Sequence, residues 1–231
     1  VVADGMGGHT LGDFASQKIV ETLGGLALPD DLENIAIQVA NSVRLVNRHL
    51  LDEASKRAVP VIGSTVAALF THGQRCGFLW AGDSRIYLFR DNTLRQLTRD
   101  HSQVEELKSR GLCSAELAAK HPGRNVITRA VGAAPELRLD SASLEVMAED
   151  CFLLCSDGLS NEVDEKTMHA ALGKDDCADA VKTLLDRALQ NGGRDNITVI
   201  VVRAESCSET ADFASTLASD SQSNNKDLRH D

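Results

Sequence analysis

Four aspartates in the sequence stand where an apolar stretch meets a turn. Asp4 follows "VVA", Asp83 lies in "LWAGDSR", Asp157 lies in "FLLCSDG", and Asp195 precedes "NITV". A carboxylate at the end of a strand is held by a rigid element while it projects from the rim of a sheet. Several such groups brought together would repel one another unless a cation joined them.

Carboxylate oxygens are the ligands that the hard divalent ions Mg²⁺ and Mn²⁺ prefer. Two such ions held close together can activate a water molecule and polarise a phosphoryl group. The same residues also permit a simpler interpretation, because Asp-Gly and Asp-Asn are common turn dipeptides. From the pattern alone, a metal site and a set of ordinary turns both stay open.

The rest of the sequence predicts the elements that would position these aspartates. Apolar residues at three- and four-residue steps predict amphipathic helices over residues 11–26 and 30–57. From residue 63 the period changes, and four short segments predict strands joined as antiparallel hairpins: "STVAALFTHG", "RCGFLWAGDS", "RIYLFRDN" and "TLRQLT". Further strands are predicted at 136–146, 151–158 and 196–204, and further helices at about 164–172 and 176–191. Strands in runs, with helices before and after them, predict an α+β layered fold.

Composition excludes several classes of protein. The chain has 231 residues and a net charge of −10, which argues against a nucleic-acid partner. No apolar run approaches the roughly 20 residues of a membrane span, and no signal peptide is visible, so we expect a cytoplasmic protein without a membrane partner. The six cysteines include no C-x-x-C pair, which favours free thiols over a zinc site or a disulfide framework.

Seven segments together resemble one known family. They are, in order, "VVADGMGGHTLGDFAS", "GSTVAAL", "AGDSRIYLF", "LTRDHS", "ITRAVG", "LLCSDGLS" and "GGRDNITVIVV". This order is similar to that of the metal-dependent Ser/Thr protein phosphatases, the PPM or protein phosphatase 2C family, in its bacterial form. The resemblance implies a four-layer αββα sandwich, with two antiparallel sheets flanked by helix pairs and a binuclear metal cleft at one end. It implies a catalytic domain over residues 1–204 and a flap at about 102–125. Residues 205–231 are rich in Ser, Asp and Asn and poor in large apolar residues, which predicts a disordered tail.

The resemblance also implies a role for each aspartate. Asp4 would bridge two Mn²⁺ or Mg²⁺ ions, and the backbone carbonyl of Gly5 would bind the second. Asp157 and Asp195 would hold the first ion. Asp83, with Asp157, would serve a weaker third site. Metal-bound water or hydroxide would attack phosphoserine or phosphothreonine directly, and the partners would be phosphorylated proteins and a cognate bacterial Ser/Thr kinase.

Two departures from the family pattern bear on catalysis. The family's first motif would precede residue 1, so we expect the chain to be an N-terminally truncated fragment. Some members have a histidine at the position of Met6, where it is proposed to protonate the leaving alcohol, and methionine cannot do so. His9 is close by, but a helix-start or packing role is favoured for it, and metal-bound water is the other candidate donor.

The remaining polar residues of the motifs favour structural roles. Ser64 and Thr65 have no suggested base nearby, which argues against a nucleophile. Asn196 is expected to orient Asp195 from behind the metal. Arg85 and Arg129 are expected to brace loops through carboxylates rather than to bind phosphate.

Asp100 and His101 leave one more choice open. The two residues could form an acid–base pair, but a turn cap at the start of the flap is favoured.

Two other functions compete with the enzyme. A pseudophosphatase would keep the fold and bind a phosphoprotein or a kinase without turnover. A metal-binding structural domain would lack any phosphate-dependent chemistry. The complete set of four aspartates favours the enzyme over the pseudophosphatase, because an inert member would be free to lose carboxylates. Phosphate-dependent chemistry would exclude the structural domain.

Overall fold

The computed structural model describes residues 1–6, 8–114, 117, 121, 123 and 126–206. The strands in this part of the chain are β1 (Gly5–Met6), β2 (Gly63–Ser64), β3 (Val66–His72), β4 (Arg75–Ala81), β5 (Arg85–Arg90), β6 (Thr93–Gln96), β7 (Asp140–Glu145), β8 (Cys151–Cys155) and β9 (Val199–Arg203). The helices are α1 (His9–Gly24), α2 (Leu32–Lys56), α3 (Gln103–Ser109), α4 (Asp157–Ser160), α5 (Glu165–Leu172) and α6 (Cys177–Gln190).

The strands pair into two main antiparallel sheets, one in the order β3-β4-β7 and the other in the order β6-β5-β8-β9. Between them lies a buried cluster contributed by both sheets: Val2, Ala67, Cys76, Phe78, Trp80, Ile86, Leu88, Phe152 and Leu154. Helices α1 and α2 pack on the outer face of the first sheet, and α4, α5 and α6 pack on the second. The predicted αββα sandwich is therefore confirmed.

Helix α2 shows how an apolar stripe produces the outer layer. Its buried residues recur at helical spacing: Leu32, Ile35, Val39, Val43, Val46, Asn47, Leu50 and Ala54. Each large apolar side chain buried in this way contributes roughly 1.5–3 kcal/mol to stability. The helix begins where Asp31 accepts a hydrogen bond from the Asn34 N–H at 2.8 Å. The helix predicted over 30–57 is confirmed within two residues at each end.

One predicted connection is wrong. The sequence pattern predicts a hairpin across Asp83-Ser84, but β4 pairs with β3 and β7, whereas β5 pairs with β6 and β8. Both strands carry large apolar side chains, and placing the strands in facing sheets buries Trp80 and Ile86 against the same inter-sheet cluster. Residues 82–84 therefore carry the chain from one sheet to the other.

Helix α4, the flap and the tail complete the comparison with the sequence-based predictions. Helix α4 was not predicted, because a four-residue helix is too short for a periodic pattern. Of the flap predicted at about 102–125, α3 is described, whereas most of residues 115–125 lie outside the described residues. The predicted tail also lies outside them from residue 207 onward. Of the helices in the described part of the chain, none combines the length and hydropathy that a bilayer span requires.

Candidate functional site

Asp4 is fixed through its backbone. The segment before it pairs with β3, since Val2 N–H donates to the Ala67 carbonyl at 2.9 Å. The Asp4 N–H donates to Thr65 Oγ1 at 3.0 Å, and the Ser64 hydroxyl donates to the Asp4 carbonyl at 2.9 Å. Ser64 and Thr65 are buried, so their hydroxyl groups position Asp4, as the structural interpretation expected.

Asp83 lies on the crossing between the two sheets. The hydroxyl of its neighbour Ser84 hydrogen-bonds to Thr65 Oγ1 at 2.7 Å. Gly82 has a φ of 113°, and a Cβ there would lie 2.6 Å from Thr65 Cγ2, so only glycine fits this approach. Thr65 therefore joins the segment that carries Asp4 to the segment that carries Asp83.

Asp157 and Asp195 stand on segments that approach each other at the end of β8. Asp157 begins α4, and the hydroxyl of Ser156 before it donates to the Asn196 carbonyl at 3.1 Å. A Cβ on Gly158 would lie 2.2 Å from that carbonyl oxygen, so the close approach requires glycine. The Asn196 N–H donates to Asp195 Oδ1 at 2.8 Å, which is a backbone contact. The expected orientation of Asp195 by Asn196 thus has a backbone contribution.

The four aspartates form one electrostatic cluster. Asp4 and Asp157 share a side-chain hydrogen bond, and burial, followed by Asp157, Asp195 and Asp83, raises the pKa of Asp4 to about 7. Burial and then Asp157 and Asp100 raise the pKa of Asp83 to about 7. The pKa of Asp157 is also raised, first by burial and then by Asp195. The carboxylates destabilise one another's charged forms, as expected for groups that a cation would neutralise.

The donor set suits an oxygen-ligated divalent ion, because it consists of carboxylates held on a sheet rim. As the side chains stand, no three of the His, Cys, Asp or Glu residues that the structure describes are arranged around a common ion position. Asp4 and Asp157 contact each other directly, whereas Asp83 and Asp195 raise the pKa of Asp4 through their charge.

The family profile described as Protein phosphatase 2C matches residues 1–201. The chain belongs to the protein phosphatase 2C family. The serine/threonine protein phosphatase PstP of Mycobacterium tuberculosis is one curated relative, and it is 36% identical to this chain over 201 residues. That alignment covers 87% of this chain but 39% of PstP, so the chain spans well under half of that relative's length.

Solved structures agree with this family membership. PppA, described as a key regulatory component of T6SS in Pseudomonas aeruginosa, has a TM-score of 0.82 and 41% identity, covering 87% of this chain and 84% of PppA. The catalytic domain of PstP in complex with two manganese ions has a TM-score of 0.77 and 33% identity, covering 88% of this chain and 86% of that domain. The phosphatase 2C resemblance predicted from the motifs is confirmed.

Arginines of this phosphatase 2C chain brace the loops around the cluster. Arg85 donates three hydrogen bonds to Asp100: Nε to Oδ1 at 3.0 Å and to Oδ2 at 3.1 Å, and Nη2 to Oδ2 at 2.7 Å. Arg129 donates to Asp140 Oδ1 at 2.9 Å. Both arginines therefore contact carboxylates, as expected.

The turn cap expected at Asp100 and His101 is wrong. Asp100 is the partner of Arg85, and His101 is buried, with its Nδ1 accepting the Gly82 N–H at 3.2 Å. The residue that caps α3 is Ser102, whose hydroxyl accepts the Glu105 N–H. A hydroxyl at the first residue of "SQVE" matches the usual capping pattern and was the available sequence signal.

Gly5, Met6 and His9 complete the predicted set. A Cβ on Gly5 would lie 2.1 Å from the Gly12 carbonyl oxygen, so this glycine lets β1 lie directly against α1. Met6 pairs with Gly63 in the short β1-β2 ladder. His9 begins α1, but its side chain lies outside the described residues, as do Gly7 and Cys207.

Two features of the site were missed by sequence reasoning. One is the hydroxyl link from Thr65 to Ser84, which lie 19 residues apart, so no local pattern reveals it. The other is Asp140, which joins both Arg129 and His101 from the start of β7. In the sequence, Asp140 lies inside the strand predicted over 136–146, where it resembles any polar residue of a strand.

Proposed function

We propose that this chain is a metal-dependent protein Ser/Thr phosphatase that hydrolyses phosphoserine and phosphothreonine monoesters in proteins. The observation that carries the proposal is the mutual coupling of Asp4, Asp83, Asp157 and Asp195 at one rim of the sandwich. A purely structural set of turns would have no reason to bring acids so close that burial and neighbouring carboxylates raise the pKa of Asp4, Asp83 and Asp157. The family match supports the same assignment.

Asp4, Asp83, Asp157, Asp195 and the carbonyl oxygen of Gly5 are the proposed ligands. The catalytic domain of PstP, described as a complex with two manganese ions, supports Mn²⁺ or Mg²⁺ as the ions. When bound, such ions would supply an activated water and compensate the charge of the phosphoryl oxygens.

The chain's own residues have two tasks in this proposal. The carboxylates must be ionised to bind, so the raised pKa of Asp4 makes protons competitors of the ions near neutral pH. The hydroxyl network of Ser64, Thr65 and Ser84 keeps the Asp4 and Asp83 segments in fixed register, so that the ligands need little rearrangement. Met6 has no proton to give, and a group other than its side chain must protonate the leaving alcohol.

The domain boundaries and partners belong to the proposal as well. We assign residues 1–204 to the catalytic domain and residues 102–125 to a flap, and the profile match over 1–201 supports the first assignment. We further assign phosphorylated proteins as substrates and a bacterial Ser/Thr kinase as the functional counterpart. The substrate class is supported by relatives that are named Ser/Thr phosphatases.

The test is hydrolysis of p-nitrophenyl phosphate and of a phosphothreonine peptide, with Mn²⁺ and with EDTA. The key variant is Asp157→Asn, and the matched control is Asp164→Asn. Asp164 caps α5 on the surface, and asparagine caps a helix as well as aspartate does. We expect Mn²⁺-dependent activity in the wild type and the control, and none in Asp157→Asn. A folded, Mn²⁺-binding chain without activity would contradict the enzyme and favour the pseudophosphatase.

A further inference from the structure

A cavity of about 700 Å³ lies between α2 and the segment that precedes β7. None of the four aspartates of the proposed metal centre lines it. Most of the polar side chains along its wall are arginines; the polar lining residues are Arg44, Asn47, Arg48, Arg129, Glu136, Arg138 and Asp140. The cavity is therefore a separate site with its own chemistry.

The wall of the cavity is held in place by a buried amide. The side chain of Asn47 is 1% exposed; its Oδ1 accepts the Gly132 N–H at 2.6 Å, and its Nδ2 donates to the Ala134 carbonyl at 3.0 Å. Gly132 has a φ of 87°, and a Cβ there would lie 2.1 Å from the Ile62 carbonyl oxygen. The segment is thus fixed against α2, and the cavity needs no ligand to form.

The charges in this wall are unbalanced. Arg44 and Arg48 are four residues apart on α2, so they project from the same side of the helix. In the part of the chain that the structure describes, neither makes an ion pair with a carboxylate; Arg44 donates to the neutral amide of Asn41. Four arginines line the cavity against only two carboxylates, those of Glu136 and Asp140, in a chain whose net charge is −10.

Hydrogen bonds that start at Arg129 connect the cavity to the segment that carries Asp83. Arg129 donates to Asp140, which also contacts His101 Nε2 at 3.1 Å. The other ring nitrogen of His101 accepts the N–H of Gly82, the residue before Asp83. One wall of the cavity is therefore hydrogen-bonded to the segment that carries a proposed metal ligand.

Guanidinium groups bind phosphate oxygens through paired N–H donors, and more strongly than they bind neutral acceptors. We propose that this cavity binds a phosphate oxyanion, with Arg44 and Arg48 as the primary donors, and that its source is a second phosphorylated residue of a substrate protein. The inference rests on the proposed phosphatase function. A substrate that carries two phosphates would dock one here while the other occupies the aspartate cluster.

The binding test uses isothermal titration of the full chain in EDTA, which prevents hydrolysis and metal-dependent binding of phosphate. The probes are a singly phosphorylated threonine peptide, its unphosphorylated form and inorganic phosphate. The variant is R44A/R48A, and the matched control is R75A/R95A, which removes two exposed arginines from the sheets. We expect the phosphopeptide to bind the wild type and the control equally, and R44A/R48A roughly tenfold more weakly.

The kinetic test uses the Mn²⁺-loaded chain with a doubly phosphorylated peptide and with p-nitrophenyl phosphate. We expect R44A/R48A to raise KM for the doubly phosphorylated peptide several-fold. We expect no change in kcat for that peptide or in any constant for p-nitrophenyl phosphate, which is too small to reach both sites. Inorganic phosphate that binds as tightly as the phosphopeptide, with equal dependence on the two arginines, would keep the oxyanion site but identify its source as free phosphate.

Equal binding of the phosphopeptide to the wild type and to R44A/R48A would overturn the proposal. So would equal binding of the phosphorylated and unphosphorylated peptides. Failure of the phosphatase function is a different result, because it appears as absent Mn²⁺-dependent hydrolysis of p-nitrophenyl phosphate in the wild type. Arginine-dependent binding of the phosphopeptide in EDTA would then still identify the cavity as a phosphate site.

Discussion

The aspartates at the rim of the sandwich face one another, whereas Asp140 and Asp150 each face an arginine. At the rim, burial and neighbouring carboxylates raise the pKa of Asp4 to about 7. In contrast, His101 and Arg129 outweigh burial and lower the pKa of Asp140. Asp150 is fully buried and takes two hydrogen bonds from Arg90, at 2.7 and 2.6 Å.

This difference separates two uses of the same side chain. A carboxylate paired with arginine contributes to the stability of the fold, and its charge is already compensated. A carboxylate among other carboxylates costs stability in the absence of a cation, and retains its capacity to bind one. Removing a member of each group should therefore have opposite effects on folding and on activity.

The largest effect should come from Asp157→Asn. We expect activity with Mn²⁺ to fall by more than about 1,000-fold, beyond the 10–100-fold typical of residues that only orient a ligand. In EDTA the variant should unfold at the same or a higher temperature than the wild type, because one repelling charge is gone. Hydrolysis of p-nitrophenyl phosphate and thermal unfolding by circular dichroism measure the two effects. A variant that is both inactive and strongly destabilised in EDTA would contradict the comparison.

Arg90→Ala should have the opposite effects, a loss of stability without a loss of activity. Among the residues that the structure describes, the Met147 N–H is then the one remaining donor to the buried Asp150 carboxylate, so we expect the free energy of unfolding to fall by about 3 kcal/mol. The activity of the folded fraction should be unchanged. Urea denaturation measures the loss, and Arg95→Ala on the exposed face of β6 is the control. If Arg90→Ala and the control lose the same free energy of unfolding, the ion pair between Arg90 and Asp150 contributes nothing to stability.

Mn²⁺ should stabilise the folded chain through the aspartate cluster alone. At a free concentration 100-fold above Kd, a ligand that binds only the folded state adds about 2.7 kcal/mol. We expect thermal unfolding with and without MnCl₂ to show this gain in the wild type and in Arg90→Ala, and its loss in Asp157→Asn. An equal gain in Asp157→Asn would place the ion elsewhere.

His101 should produce the smallest effect, visible as a pH dependence of stability. Its Nδ1 accepts the Gly82 N–H, so the ring is neutral with its proton on Nε2 toward Asp140. Burial is the main cause that lowers the pKa of His101 below 6.5, and the charge of Arg129 adds to it. The unfolded state therefore binds the extra proton first, and this group's contribution to stability falls as the pH drops below 6.5.

The decrease in the free energy of unfolding that His101 causes is at most about 1.4 kcal/mol per pH unit. The rim aspartates act in the opposite direction, because their raised pKa values make the metal-free fold gain stability as the pH falls from 7 toward 4. We therefore measure the change in the free energy of unfolding between pH 7.5 and pH 5.5 by urea denaturation. The wild type is compared with His101→Asn, and His72→Asn, at an exposed position, is the control. Equal pH slopes in all three chains would refute the role of His101.

Local patterns were enough to predict the longer helices and strands, although not the four-residue helix α4. Helix α2 follows from an apolar stripe and an aspartate cap, both of which lie within the helix and its first neighbours. The four rim aspartates are also local signals, because each adjoins a turn beside a strand. Their roles as ligands stay a prediction that the Asp157→Asn experiment tests.

The connections between elements were harder to predict. The segment at Asp83-Ser84 has the composition of a hairpin turn, and only the burial of β4 and β5 against a shared core separates the two strands into facing sheets. His101 likewise resembles a residue of a polar turn, and its burial depends on Gly82 and on Asp140, which lies 39 residues away. Such contacts are set by packing rather than by neighbouring residues.

The sequence by itself determined a layered α+β class and the positions of four aspartates at strand ends, because periodicity and turn chemistry act over a few residues. The αββα sandwich and the family followed from the resemblance of seven motifs to the phosphatase 2C family. The tertiary structure alone decided which charges meet. It directed Asp4, Asp83, Asp157 and Asp195 toward one another, placed Arg90 against Asp150, and left Arg44 and Arg48 facing a cavity without carboxylate partners. Electrostatic energy depends on distance in space, and the chain sets that distance only when its sheets and helices have packed.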